Sequence, residues 1–346
     1  MDKQVKFALV GCGRVSPNHL DAIHNAPHAT LVAVCDIDEE KAKKTAEENN
    51  LNSYYTDMET MIKMETPDVC CIITPSGNHA ECGIKAAKMG VNILVEKPMD
   101  VSLSAMKNLI AACEENNVKI GCIFQRRTFD AANIARNMVI EGKFGKLTMS
   151  SASLRYYRDK EYYDSDAWRG TWKLDGGGAL MNQGIHGVDL LDYISGGIYS
   201  VTALCKRMHW EIEAEDTAVA LVKFKNGAIG TIECCTTAYP GMDTIFTLSG
   251  TEGSIVVGDT GFYEWNFKDE KLTKPQTNGS MGGINCAYAP SSYGHVLQIE
   301  DMALAILEKH EPMVTAKDAL RSVSIVLAIY ESSRTGKEVI IDDFIK

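Results

Sequence analysis

Val91-Asn92-Ile93-Leu94-Val95 is a short apolar run that follows Gly90 and leads straight into Glu96-Lys97-Pro98. Such a run reads as a buried parallel strand. Open α/β sheets bind ligands at the carboxyl ends of their strands, where these two opposite charges fall. A lysine there is costly to bury unless its amine is used. Pro98 removes a backbone donor and fixes φ, so it ends the strand and aims Lys97. The plain alternative is a surface ion pair in a strand-to-helix loop. The second reactive stretch runs Gly176-Gly177-Gly178-Ala179-Leu180-Met181-Asn182-Gln183-Gly184-Ile185-His186-Gly187-Val188-Asp189. Helical spacing puts Asn182, His186 and Asp189 on one polar stripe. A histidine on an inward stripe, with a carboxylate to orient it, suits a general acid or base. A satisfied structural histidine is the competing reading.

A third group points to a nucleotide. Gly11-Cys12-Gly13-Arg14-Val15-Ser16 stands between a strand and a helix, the context a dinucleotide fingerprint requires. Gly11 allows the tight turn. Gly13 lets the backbone approach a pyrophosphate seated on the helix N-terminus. Ser16 replaces the third glycine. Asp36 ends the next strand, where a carboxylate accepts ribose hydroxyls and repels a 2′-phosphate; this favours NAD over NADP. Arg14, Val15 and Ile37 flank those positions. Thr74-Pro75 and Asn78-His79 end a later strand, near the expected ribose and phosphates, with capping of the following helix as the alternative. Glu96 and Lys97 join this cofactor set, and Gln125 ends the last strand of the series.

These residues need a scaffold of alternating strands and helices. Strands are expected at 5–10, 31–36, 68–73, 91–95 and 119–124, with helices at 17–25, 38–49, 78–89 and 102–116. That alternation defines a doubly wound parallel sheet. After Gln125 the rhythm changes. A helix at 129–141 precedes strands at 146–157, 199–208, 217–225, 228–237, 243–249 and 253–257, with an Asn226-Gly227 hairpin turn. Helices at 293–309 and 315–334 and a strand at 338–341 finish the chain. The fold expected is α/β, with a Rossmann domain over 1–125. A second α+β domain over 126–346 carries a large, mostly antiparallel open sheet with helices on one face.

The 346 residues are 45% hydrophobic and 23% charged, an ordinary globular mix. A net charge of -11 argues against nucleic acid or an acidic membrane surface as partner. No apolar stretch approaches the ~20 residues that span a bilayer. The opening residues run directly into a strand without a leader-like segment. Eleven cysteines, an odd number lying mostly in apolar segments, read as reduced thiols in a cytoplasmic protein. Their spacing suggests no metal site.

Residues 154–173 concentrate arginines, tyrosines and tryptophans just before the glycine-rich helix. Polar aromatics stack on sugar faces, and arginine takes carboxylate or phosphate bidentately. Arg155, Tyr156, Arg158, Tyr163 and Arg169 are therefore a candidate substrate wall, with a core aromatic cluster as the alternative. His295 opens a late helix and could point into the site or serve that helix end.

Taken together, the Gly11/Gly13 turn, Asp36, Thr74-Pro75 with His79, Glu96-Lys97-Pro98 and the glycine-rich helix bearing His186 resemble the Gfo/Idh/MocA family along nearly the whole chain. The resemblance implies an NAD(P)-dependent sugar or inositol dehydrogenase, active as a homodimer or homotetramer through the C-terminal sheet. It implies Lys97 and His186 as the catalytic pair and Trp168-Arg169 near the nicotinamide carboxamide. The family's usual aspartate four residues before the histidine is Asn182 here, similar to members that oxidise nucleotide-linked N-acetyl sugar acids at C3.

The chemistry can be stated from the residues. Oxidising a secondary alcohol requires hydride transfer to a nicotinamide and loss of the hydroxyl proton. His186 is the better neutral base. Lys97, partly desolvated and beside a positive ring, is expected to have a depressed pKa. Asn182 can bind a hydroxyl without adding charge. The expected substrate is a sugar or nucleotide sugar. Free sugar, glycoside or inositol substrates, a glycosidase or lyase that recycles bound NAD, and a non-catalytic NAD sensor are the competing readings.

Overall fold

The computed structural model describes residues 3–277 and 292–346. The chain forms two compact units, Met1–Gln125 with Pro290–Leu320 and Arg126–Ala289 with Arg321–Lys346. The expected division ran once, at 125/126. The contacts instead return a late segment to the first unit.

In the first unit, β1 (Val5–Val10), α1 (Ser16–Asn25), β2 (Ala29–Cys35), α2 (Glu39–Glu48), β3 (Tyr54–Tyr55), α3 (Met58–Glu65), β4 (Val69–Ile72), α4 (His79–Lys88), β5 (Asn92–Val95), α5 (Leu103–Glu115) and β6 (Ile120–Cys122) alternate as expected. Their sheet has the order β3-β2-β1-β4-β5-β6, with every pair parallel. Strand order reverses between β1 and β4, and ligands bind at such a switch point. Side-chain caps start the helices: Asp38 accepts from Glu40 N–H and Lys41 N–H, Asp57 from Thr60 N–H and Ser102 from Ala105 N–H. β3 and α3 were not foreseen.

In the second unit, α6 (Asp130–Ile140), β7 (Leu147–Arg155), α7 (Lys160–Asp164), a π-helical segment (Ala179–Gly184) and α8 (Ile185–Ile194) precede a run of strands. These are β8 (Ile198–Lys206), β9 (Thr217–Phe224), β10 (Ile229–Cys235), β11 (Ile245–Gly250), β12 (Gly253–Gly258) and β13 (Gly261–Phe267). After α9 (Tyr293–Leu307) come α10 (Ala316–Thr335), β14 (Val339–Ile340) and α11 (Ile341–Ile345). The sheet has the order β13-β12-β11-β7-β10-β9-β8-β14. Among the described residues, only β7 and β10 pair in parallel in this sheet, against antiparallel ladders elsewhere. β13 was not foreseen.

Helix α9 was expected in the second domain. Its Ile299, Met302 and Ala303 instead share one core with Phe7, Leu9, Val34 and Cys71 of the first unit. An apolar helix face goes where it removes most area from water. The described cysteines are free thiols; burial pushes Cys12 up to about 11 and Cys35 up to about 12, which keeps them protonated and inert. No helix among the described residues is long and apolar enough to cross a membrane.

Candidate active site

The carboxyl end of the first sheet carries the nucleotide signature. Gly11 has φ 107, and a Cβ there would meet Ile73 O at 2.7 Å, so only glycine fits the turn. Above Gly13 a Cβ would meet nothing within 4 Å, leaving the backbone open to a ligand. No side chain caps α1, so its first N–H groups are suited to a phosphate. Asp36 Oδ2 accepts from Cys12 N–H at 2.6 Å and Oδ1 from Asp38 N–H at 2.9 Å. The carboxylate is thereby fixed beside the glycine turn. Val15 and Ile37 are exposed, Ile37 at 95%; an apolar side chain so presented beside Asp36 can cover a nucleobase. Arg14 and Asn78 are exposed, and Thr74, Pro75 and Gln125 are half-buried. These features fit a dinucleotide. Neither Pro75 nor Asn78 supplies a side-chain cap to the short turn over Ser76–Asn78 or to α4.

Two expected cofactor residues face elsewhere. His79 is buried, with Nδ1 2.7 Å from Pro98 O and Nε2 2.8 Å from Thr74 O. It ties two loops together instead of presenting its ring to a nucleotide. Glu96 is also buried. Its Oε1 lies 2.9 Å from His19 Nε2 and 3.4 Å from His295 Nε2, while Oε2 accepts from Lys97 N–H at 2.9 Å. Both carboxylate oxygens are thus engaged by protein. Burial opposes its ionisation, but the two histidines hold the carboxyl well below the usual range. His295 therefore meets Glu96, where a substrate contact was expected. Lys97 itself is half-buried, before a cis peptide to Pro98.

In the second unit, Glu215 organises the glycine-rich stretch. Its carboxylate accepts from Gly178 N–H at 3.0 Å, Leu180 N–H at 2.8 Å and Tyr330 O–H at 2.9 Å. A Cβ on Gly178 would meet Glu215 O at 1.8 Å, so glycine is required by this close approach. Burial pushes Glu215 up to about 7 against those hydrogen bonds. The π-helical turn then carries Asn182, whose Nδ2 donates to Asp175 Oδ1 at 2.7 Å. Tyr162 O–H lies 3.3 Å from Asn182 Oδ1 and accepts from Arg169 Nη1 at 2.7 Å and Gln183 Nε2 at 2.8 Å. His186 follows on α8, half-buried.

Asp189 does not orient His186. It is fully buried and takes Arg127 bidentately, Nε at 2.9 Å and Nη2 at 2.6 Å, with the Ser322 hydroxyl at 2.5 Å. The π-helical turn and the extra residue it accommodates break the helical stripe that spacing alone implied. The substrate wall also splits. Leu154 points inward against Gly187 of α8. Its neighbour Arg155 must then face the opposite side of the sheet, where it pairs with Glu233. Tyr156 is buried. Arg158 lies over the Tyr162 ring at 5.1 Å, and Arg169 over the rings of Tyr162 at 4.3 Å and Trp168 at 4.9 Å. Tyr163 O–H lies 2.8 Å from Thr236 Oγ1. Tyr162, Asp175 and His19 were missed. A buried acid directly before three glycines was a usable signal for Asp175, since such an acid needs donors. Nothing separated Tyr162 from adjacent Tyr163.

A nucleotide-ready switch point in one unit and a polar helix start above an open sheet in the other define a two-domain oxidoreductase. Comparison with known proteins agrees. The description "Oxidoreductase family, NAD-binding Rossmann fold" matches residues 5–124, and "GFO/IDH/MocA C-terminal domain" matches residues 133–256. The chain is similar to the WlbA dehydrogenase from Bordetella pertussis, solved in complex with NADH and UDP-GlcNAcA. That match has 31% identity over 98% of this chain and 99% of that chain, with a TM-score of 0.87. It is 27% identical to scyllo-inositol 2-dehydrogenase (NAD(+)) of Bacillus subtilis (strain 168), covering 99% of this chain and 98% of the relative. It is 24% identical to D-apiose dehydrogenase of Paraburkholderia graminis, covering 97% and 90%. The chain belongs to the Gfo/Idh/MocA family of oxidoreductases.

Proposed function

We propose that this chain is an NAD-dependent dehydrogenase that oxidises a secondary ring hydroxyl of a sugar, with a nucleotide sugar as substrate and C3 as the carbon. One observation carries the reading: the carboxyl ends of a single parallel sheet present the Gly11–Gly13 turn, Asp36 and Lys97. A nucleotide seat and a proton-handling amine thus share one edge. The likeness to a dehydrogenase solved with NADH and UDP-GlcNAcA supports the nucleotide sugar, and Asp36 supports NAD over NADP. When bound, NAD supplies the hydride acceptor. The chain's own residues must remove the hydroxyl proton and steady the developing negative oxygen. Lys97 and His186 are the proposed groups for this, each argued within its own unit. Asn182, clamped by Asp175, presents an uncharged amide to substrate. Arg158 and Arg169, held over aromatic rings, are the proposed contacts for a charged substituent.

We further infer a homo-oligomer formed through the outer sheet face, where Met149, Leu204, Val219, Leu221 and Ile229 are exposed; sedimentation of the purified chain tests it. The activity test is NADH absorbance in the presence of NAD and a panel of UDP-N-acetylglucosamine, its uronic acid, inositols and free hexoses. A rise with the uronic acid or UDP-sugar supports the reading. A rise only with inositol or free hexose overturns the nucleotide-sugar assignment. Product without net NADH overturns the dehydrogenase in favour of an enzyme that returns its hydride.

A further inference from the structure

His19, Glu96 and His295 come from α1, the end of β5 and α9, and meet in the interior of the first unit. Their exposures are 0%, 7% and 3%. An unpaired carboxylate at such a depth is strongly disfavoured. Here two imidazoles and a backbone N–H hydrogen-bond it. Both Nε2 atoms address one oxygen, Oε1, at 2.9 and 3.4 Å. The other oxygen accepts from Lys97 N–H at 2.9 Å. The rings meet edge to face, with centroids 5.1 Å apart.

The distances suit either two hydrogen bonds or a small cation ligated by Oε1 and both Nε2 atoms. The far side of the rings decides between them. Nδ1 of His19 and Nδ1 of His295 are buried without a hydrogen-bond partner among the described residues. A cation on Nε2 would force the proton onto Nδ1 of both rings, leaving two buried donors with no acceptor, where ligating histidines normally donate to one. With the proton on Nε2, both rings donate to Glu96 and leave only a bare lone pair. We infer that His19 and His295 are positioning residues that clamp Glu96, so that its second oxygen holds the backbone of Lys97 and fixes where the amine is presented. The effect on turnover rests on the proposed role of Lys97; the effect on the Lys97 backbone does not.

Other titratable groups also face Glu96. They are Cys71 of β4 and His79 of α4, and the Cys122 thiol of β6 donates to the Glu96 backbone carbonyl. His19 and His295 are the imidazoles that hydrogen-bond its carboxylate. Removing them leaves burial unopposed, so Glu96 takes up a proton at higher pH.

The test uses the full chain carrying His19→Leu and His295→Leu together, the single His295→Leu variant, and the paired His19→Gln, His295→Gln variant. The glutamine amide restores a donor near the place of Nε2. In the double leucine variant, kcat is expected to fall about 10²-fold, as misplacement of a reacting group by ~1 Å does. KM for NAD is expected to stay within about twofold, and the acid limb of the kcat profile to move to higher pH. The glutamine pair is expected to recover most of the rate. In ¹⁵N-lysine-labelled protein, the Lys97 amide is expected to exchange faster in the double leucine variant, with or without substrate. If that variant does not fold, the single His295→Leu variant is expected to show the same changes in smaller measure. An unchanged acid limb and an unchanged Lys97 amide in a folded leucine variant overturn the inference. So does a stoichiometric metal ion in the purified wild type whose chelation abolishes activity. If the wild type reduces NAD with none of the sugars tested, while the Lys97 amide still exchanges faster in the double leucine variant, the functional reading has failed and the positioning role stands.

Discussion

Asn182 Nδ2 donates to Asp175 Oδ1 across 2.7 Å, and the other Asp175 oxygen accepts from Gly170 N–H at 2.8 Å. A buried acid thus pins the side chain proposed to meet substrate and, through Gly170, the loop that carries Arg169. Asp175→Ala frees Asn182 to rotate and leaves a buried N–H unpaired, costing about 1–3 kcal/mol of stability. A loss of about 10²-fold in kcat is expected with little change in KM for NAD. Steady-state kinetics on the active sugar checks it; an unaltered kcat removes Asn182 from the reaction.

Asp36→Ala removes the carboxylate that would repel a 2′-phosphate. The ratio of kcat/KM for NAD to that for NADP is expected to fall at least about tenfold, equivalent to ~1.4 kcal/mol. Parallel assays with the two cofactors measure this. An unchanged ratio takes Asp36 out of the ribose site.

Lys97→Ala deletes the amine while leaving Glu96, the Gly11–Gly13 turn and Asp36 in place. Single-turnover hydride transfer is expected to slow by about 10²–10⁴-fold, the usual contribution of a proton-transfer group. NAD binding, followed by quenching of protein fluorescence, is expected to be nearly unaltered. A near-normal single-turnover rate would falsify the role.

Arg127 and Asp189 form a buried bidentate ion pair, with side-chain exposures of 7% and 1%. Asp189→Leu strands the guanidinium and is expected to cost about 3–5 kcal/mol, whereas the joint Arg127→Met, Asp189→Leu exchange recovers most of it. Urea unfolding separates the two. The pH dependence of turnover should not change, because Asp189 does not serve His186. A shifted profile would restore the orienting role that the helical spacing suggested.

Burial lowers the His19 pKa from its usual value of about 6.5, against the opposing hydrogen bond to Glu96. Burial resists Glu96 ionisation, yet its two imidazole donors keep that carboxyl low. Both groups are depressed in the folded state, so both shifts have the same sign. The unfolded chain binds more protons, and stability present above about pH 6.5 is lost as pH falls through the folded values. The melting temperature should decline from about pH 6.5 downward, and His19→Leu should flatten the first part of that decline. Thermal unfolding across a pH series decides; parallel curves for the two proteins would discount His19.

The parallel sheet was legible because each of its long strands is an apolar run closed by a glycine, an acid or a proline. β3 and α3 were not: Tyr54–Tyr55 is two residues long, and Met58–Glu65 is a short helix. β13 was missed because it lies at the sheet edge and buries only part of its length. The glycine turn, Asp36 and Lys97 could be named from residue type and spacing. His19 could not, since a histidine among Leu20 and Ile23 looks like any interruption of an apolar helix face. Arg155 was misplaced because it was grouped with the aromatic cluster of 154–173, although it ends β7 (Leu147–Arg155) and period-two alternation sends it to the face opposite Leu154.

The first unit is not contiguous in the chain, and this bears on how the molecule comes into being. Val5, Phe7 and Leu9 leave the ribosome early, but Ile299, Met302 and Ala303 complete their core. At ~5–20 residues per second, the interval between β6 and α9 lasts about 10–40 s. For that time the nascent sheet has an apolar face without its final cover, and Glu96 has only one of its two imidazole donors. The emergence of α9 therefore both covers that apolar face and completes the histidine pair around Glu96.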